Sequence, residues 1–280
     1  MPDDAFYIPD GDAYVATELT RGPWDPGSQH AGPPAALIGR ELERLPSDAP
    51  MQVGRVTFEI LRPVPIGRLR VEASVVRPGR SVEMAEATLS ADDTPLIRAT
   101  AWRLRVSDLE LVEGLGSLDG PGLAGTTEST LRPGFAPPGP DEGARRDFFA
   151  TGESVGYHTA MDYRFIAGAF LERGPATAWL RMGHPLIAGE EPSPLQRVLI
   201  AADTGNGLSA TLDWDRYLFI NVDLTVHLHR MPTGEWICLD AITIPEPSGV
   251  GTTDTALYDE AGPIGRAAQT LLVAERDTGT

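Results

Sequence analysis

The sequence predicts an α+β fold in which a helix packs on a mostly antiparallel sheet, with that unit present twice in tandem. Three observations carry the prediction. A block of residues recurs without a gap: Arg98 is matched by Arg266, a separation of 168 (266 − 98), and at the same spacing Pro95 meets Pro263, Leu89 meets Leu257, Val82 meets Val250, Glu72-Ala73 meets Asp240-Ala241, Arg62 meets Arg230 and Thr57 meets Thr225. Within the block apolar residues alternate in step, Val56, Phe58, Ile60 and Val71 against Leu224, Val226, Leu228 and Leu239, which is the period of a half-buried strand. Each block follows a stretch with helical spacing and proline in its first turn, Pro33 in one case and Pro194 in the other.

In chain order, residues 1–11 read as an irregular lead-in and Ala13 to Leu19 as a strand. A turn-rich loop, Gly22-Pro23-Trp24-Asp25-Pro26-Gly27, leads through His30-Ala31-Gly32-Pro33-Pro34 into a helix reaching about Leu45. Strands follow at Val53 to Arg62, Leu69 to Val76, Val82 to Leu89 and Leu96 to Arg105, separated by Pro and Gly turns such as Arg77-Pro78-Gly79. Residues 106–155 are rich in Gly, Pro and acidic side chains, including Leu131-Arg132-Pro133-Gly134 and Pro137-Pro138-Gly139-Pro140, a composition that suits a linker. The division is therefore residues 1–105, a linker over 106–155, and residues 156–280. The second unit opens on a β-like run from Tyr157 to Phe165, and Ala178-Trp179-Leu180 corresponds to Ala13-Tyr14-Val15.

Composition narrows the function classes. Forty acidic residues against 23 basic ones, all of them arginine, give a formal charge of −17, which argues against a nucleic-acid partner. No apolar run approaches the length of a membrane span, and the acidic Met1-Pro2-Asp3-Asp4 is unlike a signal peptide, so the expected location is the cytoplasm with no membrane partner. Cys238 is the only cysteine and sits in an apolar run, so neither a disulfide nor a thiolate metal cluster is expected. His227 and His229 on one strand are an incomplete ligand set, and no phosphate loop or dinucleotide fingerprint is present. Gly152-Glu153-Ser154-Val155-Gly156 fits the G-x-S-x-G pattern of serine hydrolases, but that elbow needs a strand before it and a helix after it. A linker precedes this one and a β-like run follows.

The helix opened by Ser193-Pro194 holds the sharpest anomaly. Ser193 suits the N-cap, Gly205 and Gly207 suit the stop, and Asp203 shares a face with Ile200, Leu199 and Gln196. A carboxylate on an apolar stripe is costly unless partnered, which marks it for chemistry. The matching position of the first helix is Leu42, or Glu41 with a one-residue change of alignment. Gln269 is a second departure from the repeat, because its counterpart 168 residues earlier is Ala101. Strict alternation places Asn221 with Asp223, Thr225, His227 and His229 on a polar strand face opposite Val222, Leu224, Val226 and Leu228.

The helix segment Leu199-Ile200-Ala201-Ala202-Asp203, the strand from Asn221 to Arg230 and the late Ala267-Ala268-Gln269 resemble, in order, the three catalytic neighbourhoods of the TesB-like (type II) acyl-CoA thioesterases. The resemblance implies a tandem double hotdog fold, each repeat a central helix wrapped by an antiparallel sheet. It also implies hydrolysis of an acyl-CoA thioester by water held on Asp203, Gln269 and Asn221, without metal or cofactor. Asn221 stands where that family has threonine; its amide can still hydrogen-bond water but reaches further. His30 and Gly32 are candidates to bind substrate, because a helix N-terminus presents N–H groups to an oxyanion or a CoA phosphate, and Trp24 is a candidate to line an acyl pocket. CoA is polyanionic while the chain is acidic, so a local arginine cluster is expected to receive its phosphates. Exposed sheet edges favour a homo-oligomer. The alternatives are a non-catalytic acyl-CoA binder, supported by the asparagine at 221, and a hydratase or dehydratase on the same fold.

Overall fold

The computed structural model describes residues 4–109, 135–148 and 150–276. Its first half contains β1 (Tyr7–Asp10), β2 (Ala13–Ala16), α1 (Gly32–Glu43), β3 (Met51–Ile60), β4 (Arg68–Arg77), β5 (Val82–Ala91) and β6 (Thr94–Arg105). The second half contains the single turn α2 (Tyr157–Ala160), β7 (Met161–Ala167), β8 (Ala176–Met182), α3 (Pro194–Ala202), the short α4 (Gly205–Leu208), β9 (Tyr217–Asn221), β10 (Asp223–Leu228), β11 (Ile237–Pro245), β12 (Val250–Asp259) and β13 (Gly262–Glu275). The order β2-β4-β5-β6-β3 recurs as β8-β11-β12-β13-β10, and the halves join in one sheet where β3 meets β10.

That junction reproduces the repeat read from the sequence. Thr57 faces Thr225 across it, with the hydroxyls 3.1 Å apart, so two residues related by the spacing of 168 lie opposite each other. Irregularities match as well. The β5–β6 ladder shifts register between Leu89 and Ser90, and the β12–β13 ladder shifts between Leu257 and Tyr258, 168 residues later.

The two helices lie antiparallel. Gly32 at the start of α1 packs on the Ile200 carbonyl near the end of α3, while Gly39 packs on Leu195 and Leu199. A Cβ at Gly32 would overlap the Ile200 carbonyl oxygen, and one at Gly39 would overlap the Leu199 side chain, so glycine is what lets the helices approach. Leu37, Ile38, Leu42, Leu195, Val198, Leu199 and Ile200 are all fully buried between the helices and the sheet. Each contributes roughly 1.5–3 kcal/mol by leaving water.

Several expectations need correction. Residues 1–11 are not all irregular: Tyr7 pairs with Ala16, and Phe6 and Tyr7 are fully buried, so apolar burial makes a strand of the lead-in. The strand at Ala13 stops at Ala16, because the Thr17 hydroxyl accepts the Leu19 N–H and caps a 3-10 turn over Glu18–Thr20. Tyr157–Ala160 is helical, with the Gly156 N–H donating to Thr159 Oγ1 at 3.1 Å, before β7 begins. Gly205 and Gly207 do not stop the helix but lie inside α4; a Cβ at Gly205 would crowd Thr255 on β12, so glycine serves close packing there. The match of Tyr14 to Trp179 is one residue off. Tyr14 faces Leu69 and Leu180 faces Ile237, the residue 168 after Leu69, so the true partner of Tyr14 is Leu180.

The segment read as a linker is not a bare spacer where it is described. The Trp179 indole N–H donates to the Pro138 carbonyl at 2.7 Å, Ala144 pairs with Phe165, and Phe148 packs on the ring of Phe170. Leu131-Arg132-Pro133-Gly134 and residues 1–3 lie outside the described residues. Cys238 is a buried residue of β11, and burial pushes its thiol pKa well up. Ser154 is exposed in an irregular segment, without the strand an elbow requires. Among the described residues no helix is long and apolar enough to cross a membrane.

Candidate active site

Asp203 sits at the C-cap of α3 and is 3% exposed. The apolar face that carries it into the core is that of Leu199 and Ile200, and what makes burial tolerable is a pair of amide donors. Asn221 Nδ2 donates to Oδ1 at 2.8 Å, Gln269 Nε2 reaches the same oxygen at 3.4 Å and the Asp203 carbonyl at 3.2 Å, and His30 Nδ1 lies 3.0 Å from Oδ2. Gln269 Oε1 in turn accepts the Asn206 N–H at 3.2 Å, so the amide ties β13 to the junction of α3 and α4. Three residues, from β9, β13 and the loop before α1, thus gather around the carboxylate that α3 carries.

Asn221 reaches this centre because the strand is interrupted. Thr225 faces Ala268 on β13 and Asn221 faces Leu271, so four residues on one strand span three on the other. The extra residue is Val222, which is exposed, and it turns Asn221 to the same side as buried Phe219. Strict alternation, which grouped Asn221 with Asp223 and Thr225 and placed Val222 inward, is therefore wrong at this point. The first half has the same irregularity in the same place, between Val53 and Arg55.

The repeat gives the centre a built-in control. Asp203, Asn221 and Gln269 correspond to Leu42 through the helix prolines and to Val53 and Ala101 through the spacing of 168, and these three are buried and apolar. Thr253, which faces Gln269, corresponds to Ala85, which faces Ala101. One copy of the unit holds a polar constellation and the other fills the same positions with hydrocarbon.

A cavity of about 400 Å³ opens beside the carboxylate, lined by His30, Ala31, Asp203, Thr204, Asn206 and Asn221 at its polar end and by Trp24, Phe148, Tyr163, Phe170 and Trp214 elsewhere. Trp24, expected from the sequence to line an acyl pocket, lies on the cavity wall with its ring 4.9 Å from Trp214 and 5.2 Å from Phe219. Gln269 and Gly32 stand behind the wall. The Gly32 N–H points at His30 Nδ1, 3.1 Å away, and its missing side chain serves helix contact. His30, read from the sequence as a substrate contact, is placed on the carboxylate itself.

Tyr157 escaped the sequence reading. Its ring stacks on His30 with centroids 3.8 Å apart and planes 10° off parallel, and its hydroxyl donates to the Ile200 carbonyl at 2.6 Å and shares a bond with Thr204 Oγ1 at 2.8 Å. Burial raises its pKa, so it stays a neutral phenol. Burial also lowers the pKa of His30, outweighing the attraction of Asp203. Nothing local in the sequence joins Tyr157 to His30; the contact exists only once the segment after the linker folds back across the loop before α1. Among the described residues no group of three His, Cys, Asp or Glu side chains is placed to hold a metal ion.

The sequence pattern of the acyl-CoA thioesterase N-terminal domain matches residues 20–104, and that of the acyl-CoA thioesterase C-terminal domain matches residues 133–273. No curated protein matches the chain. Among solved structures, a thioesterase II from Thermobifida fusca is similar at 17% identity with a TM-score of 0.69, covering 96% of this chain and 95% of its own. A conserved hot dog-fold protein from Alicyclobacillus acidocaldarius is similar at 16% identity and TM-score 0.68, over 98% and 97% of the two chains. The acyl-CoA thioesterase II TesB2 of Mycobacterium marinum is similar at 14% identity and TM-score 0.63, over 96% and 95%. At these identities the structures speak for a hotdog fold.

Proposed function

Because the chain belongs to the TesB-like acyl-CoA thioesterase family and is a thioester hydrolase, we propose that it cleaves acyl-CoA thioesters in the cavity beside Asp203, with water activated at the centre formed by Asp203, Gln269 and Asn221. The observation that carries this is the gathering of three residues, distant in sequence, around one buried carboxylate on the wall of a cavity that aromatic side chains also line. Asp203 is the charge that draws a proton from water, Asn221 faces the cavity beside it, and Gln269 fixes the carboxylate from behind. Thioester hydrolysis also needs donors for the developing oxyanion, and the N-terminus of α1 reaches the cavity wall at Ala31.

The same reading takes the chain as two hotdog units, residues 1–105 and 156–280, joined through 106–155. Supporting it are the repeated strand order, the matched register shifts and the facing Thr57 and Thr225. Of the arginines, Arg62 suits a CoA phosphate best. It lines the cavity, is exposed, and spends one N–H on the Pro95 carbonyl, whereas Arg21 is engaged by Glu18, Glu153 and two carbonyls. The test is release of free thiol from a panel of acyl-CoAs. Turnover by the wild-type chain supports the proposal; binding without release would make the chain an acyl-CoA binder instead.

A further inference from the structure

The polar constellation does not end at Gln269. Thr243, Thr253 and Gln269 face one another in a row across β11, β12 and β13, and all three are buried. The row 168 residues earlier is Val75, Ala85 and Ala101, across β4, β5 and β6. Thr255, further along β12, likewise corresponds to Ala87. The copy that holds the carboxylate is therefore polar behind it as well, where the other copy is hydrocarbon. The short helix α4 belongs to the same asymmetry: among the described residues no helix follows α1 between Glu43 and the start of β3 at Met51.

Buried hydroxyls form a directed chain under α4. Ser209 Oγ donates to the Gly205 carbonyl at 2.9 Å and lies 2.7 Å from Thr243 Oγ1, which in turn lies 2.8 Å from Thr253 Oγ1. A hydroxyl has one proton to give. With that of Ser209 committed to Gly205, Thr243 donates to Ser209 and Thr253 donates to Thr243. The chain ties α4 to β11, and Gly205 lies so close to β12 that a Cβ there would overlap Thr255 Oγ1.

Docked in this way, α4 presents the Asn206 N–H to Gln269 Oε1 at 3.2 Å. That bond decides which end of the amide faces Asp203. The two ends of a glutamine amide have nearly the same shape but opposite hydrogen-bonding sense. With Oε1 held by Asn206, Nε2 is the end that donates to the Asp203 carbonyl and to Oδ1. Reversed, the amide would set an oxygen against the carboxylate.

We propose that Thr253, Thr243 and Ser209 are positioning residues of the hydrolysis: by docking α4 on the sheet they fix the Gln269 amide, and through it the carboxylate of Asp203. The proposal rests on the thioesterase reading above and extends it to residues outside the cavity wall. None of the three lines the cavity, whereas Thr204, Asn206 and Gly207, at the start of α4 and within it, do. A misplacement of about 1 Å that originates far from the reacting atoms can cost about 100-fold in rate.

The experiment is kcat and KM for thiol release from acyl-CoA, per folded molecule, in the wild type, Thr243→Val, Thr243→Ser, Gln269→Ala and the double variant of Thr243→Val with Gln269→Ala. Valine keeps the shape of threonine and breaks the chain at its middle, while serine keeps the hydroxyl and loses only a methyl. The expected outcome is a kcat about 10- to 100-fold lower in Thr243→Val with KM little changed, and most of the loss recovered in Thr243→Ser. Adding Thr243→Val to Gln269→Ala should lower kcat no further, because the chain acts through that amide. Ser209→Ala, at the other end of the chain, should lower kcat in the same way and carries the test if Thr243→Val does not fold. A wild-type kcat in either single variant, a Thr243→Ser enzyme as slow as Thr243→Val, or an undiminished loss in the Gln269→Ala background overturns the proposal while leaving the thioesterase reading standing. A wild-type chain that releases no thiol from any acyl-CoA overturns both.

Discussion

A single side chain changes meaning with its neighbours, and Asp203 is the clearest instance. From the sequence it is a carboxylate on an apolar helix face; in the fold it accepts from Asn221 and Gln269 and lies 3.0 Å from His30 Nδ1. Its oddness was legible because helical spacing places it over Leu199 and Ile200. The role of His30 was not, because no spacing rule connects a loop before one helix with the end of another. Removing Gln269 should show how far the donors matter. Gln269→Ala leaves the Asn206 N–H and Asp203 short of partners in the core, and a loss of about 1–3 kcal/mol in urea unfolding is expected, together with a fall in kcat. His30 also makes stability depend on pH. Its folded pKa lies below the ordinary value, so the unfolded chain takes up a proton first; stability is full above about pH 6.5 and falls as the pH drops toward the folded pKa. His158, His227 and His229 are shifted in the same direction. The urea midpoint should therefore decrease from about pH 8 to about pH 5.5, and less steeply in His30→Gln.

At the level of elements, the start of α3 was readable to the residue, since Ser193 Oγ accepts the Gln196 N–H at 3.2 Å as an N-cap should. Its end was not. Gly205 and Gly207 carry the composition of a stop, but the glycine at 205 is required by contact with β12, and the chain continues into α4. The interruption at Val222 was equally hidden, because alternation assumes an unbroken pleat and nothing in Asn221-Val222-Asp223 announces an extra residue. That one residue decides whether Asn221 faces solvent or Asp203. The helix pair offers a sharper test. Gly32→Ala sets a methyl against a backbone carbonyl that cannot move without displacing the end of α3, so both stability and the His30–Asp203 contact should suffer. Gly39→Ala meets only the end of a leucine side chain. It should cost about 1–3 kcal/mol with activity per folded molecule retained.

Across the whole molecule the duplication was the most legible feature, and it is reproduced in strand order, in register shifts and in the facing threonines at the junction. What the repeat explains best is the asymmetry: Leu42, Val53 and Ala101 occupy in hydrocarbon the places of Asp203, Asn221 and Gln269. The role of the segment over 106–155 was not legible, because its Gly- and Pro-rich composition describes a linker while Phe148 contributes cavity wall. The net charge of −17 raises a separate question at this scale, since it repels a polyanionic substrate. If the contact at Arg62 dominates over the general field, added salt should raise KM for acyl-CoA, and Arg62→Ala should raise KM at low salt with kcat unchanged.

The central claim is that Asp203 anchors the chemistry of thioester hydrolysis. It is tested most directly by kcat for thiol release from an acyl-CoA by the wild type and by Asp203→Asn, a change that keeps the shape and removes the charge. The expected result is turnover by the wild type and a loss of about 100-fold or more in the variant; equal rates for the two would contradict it.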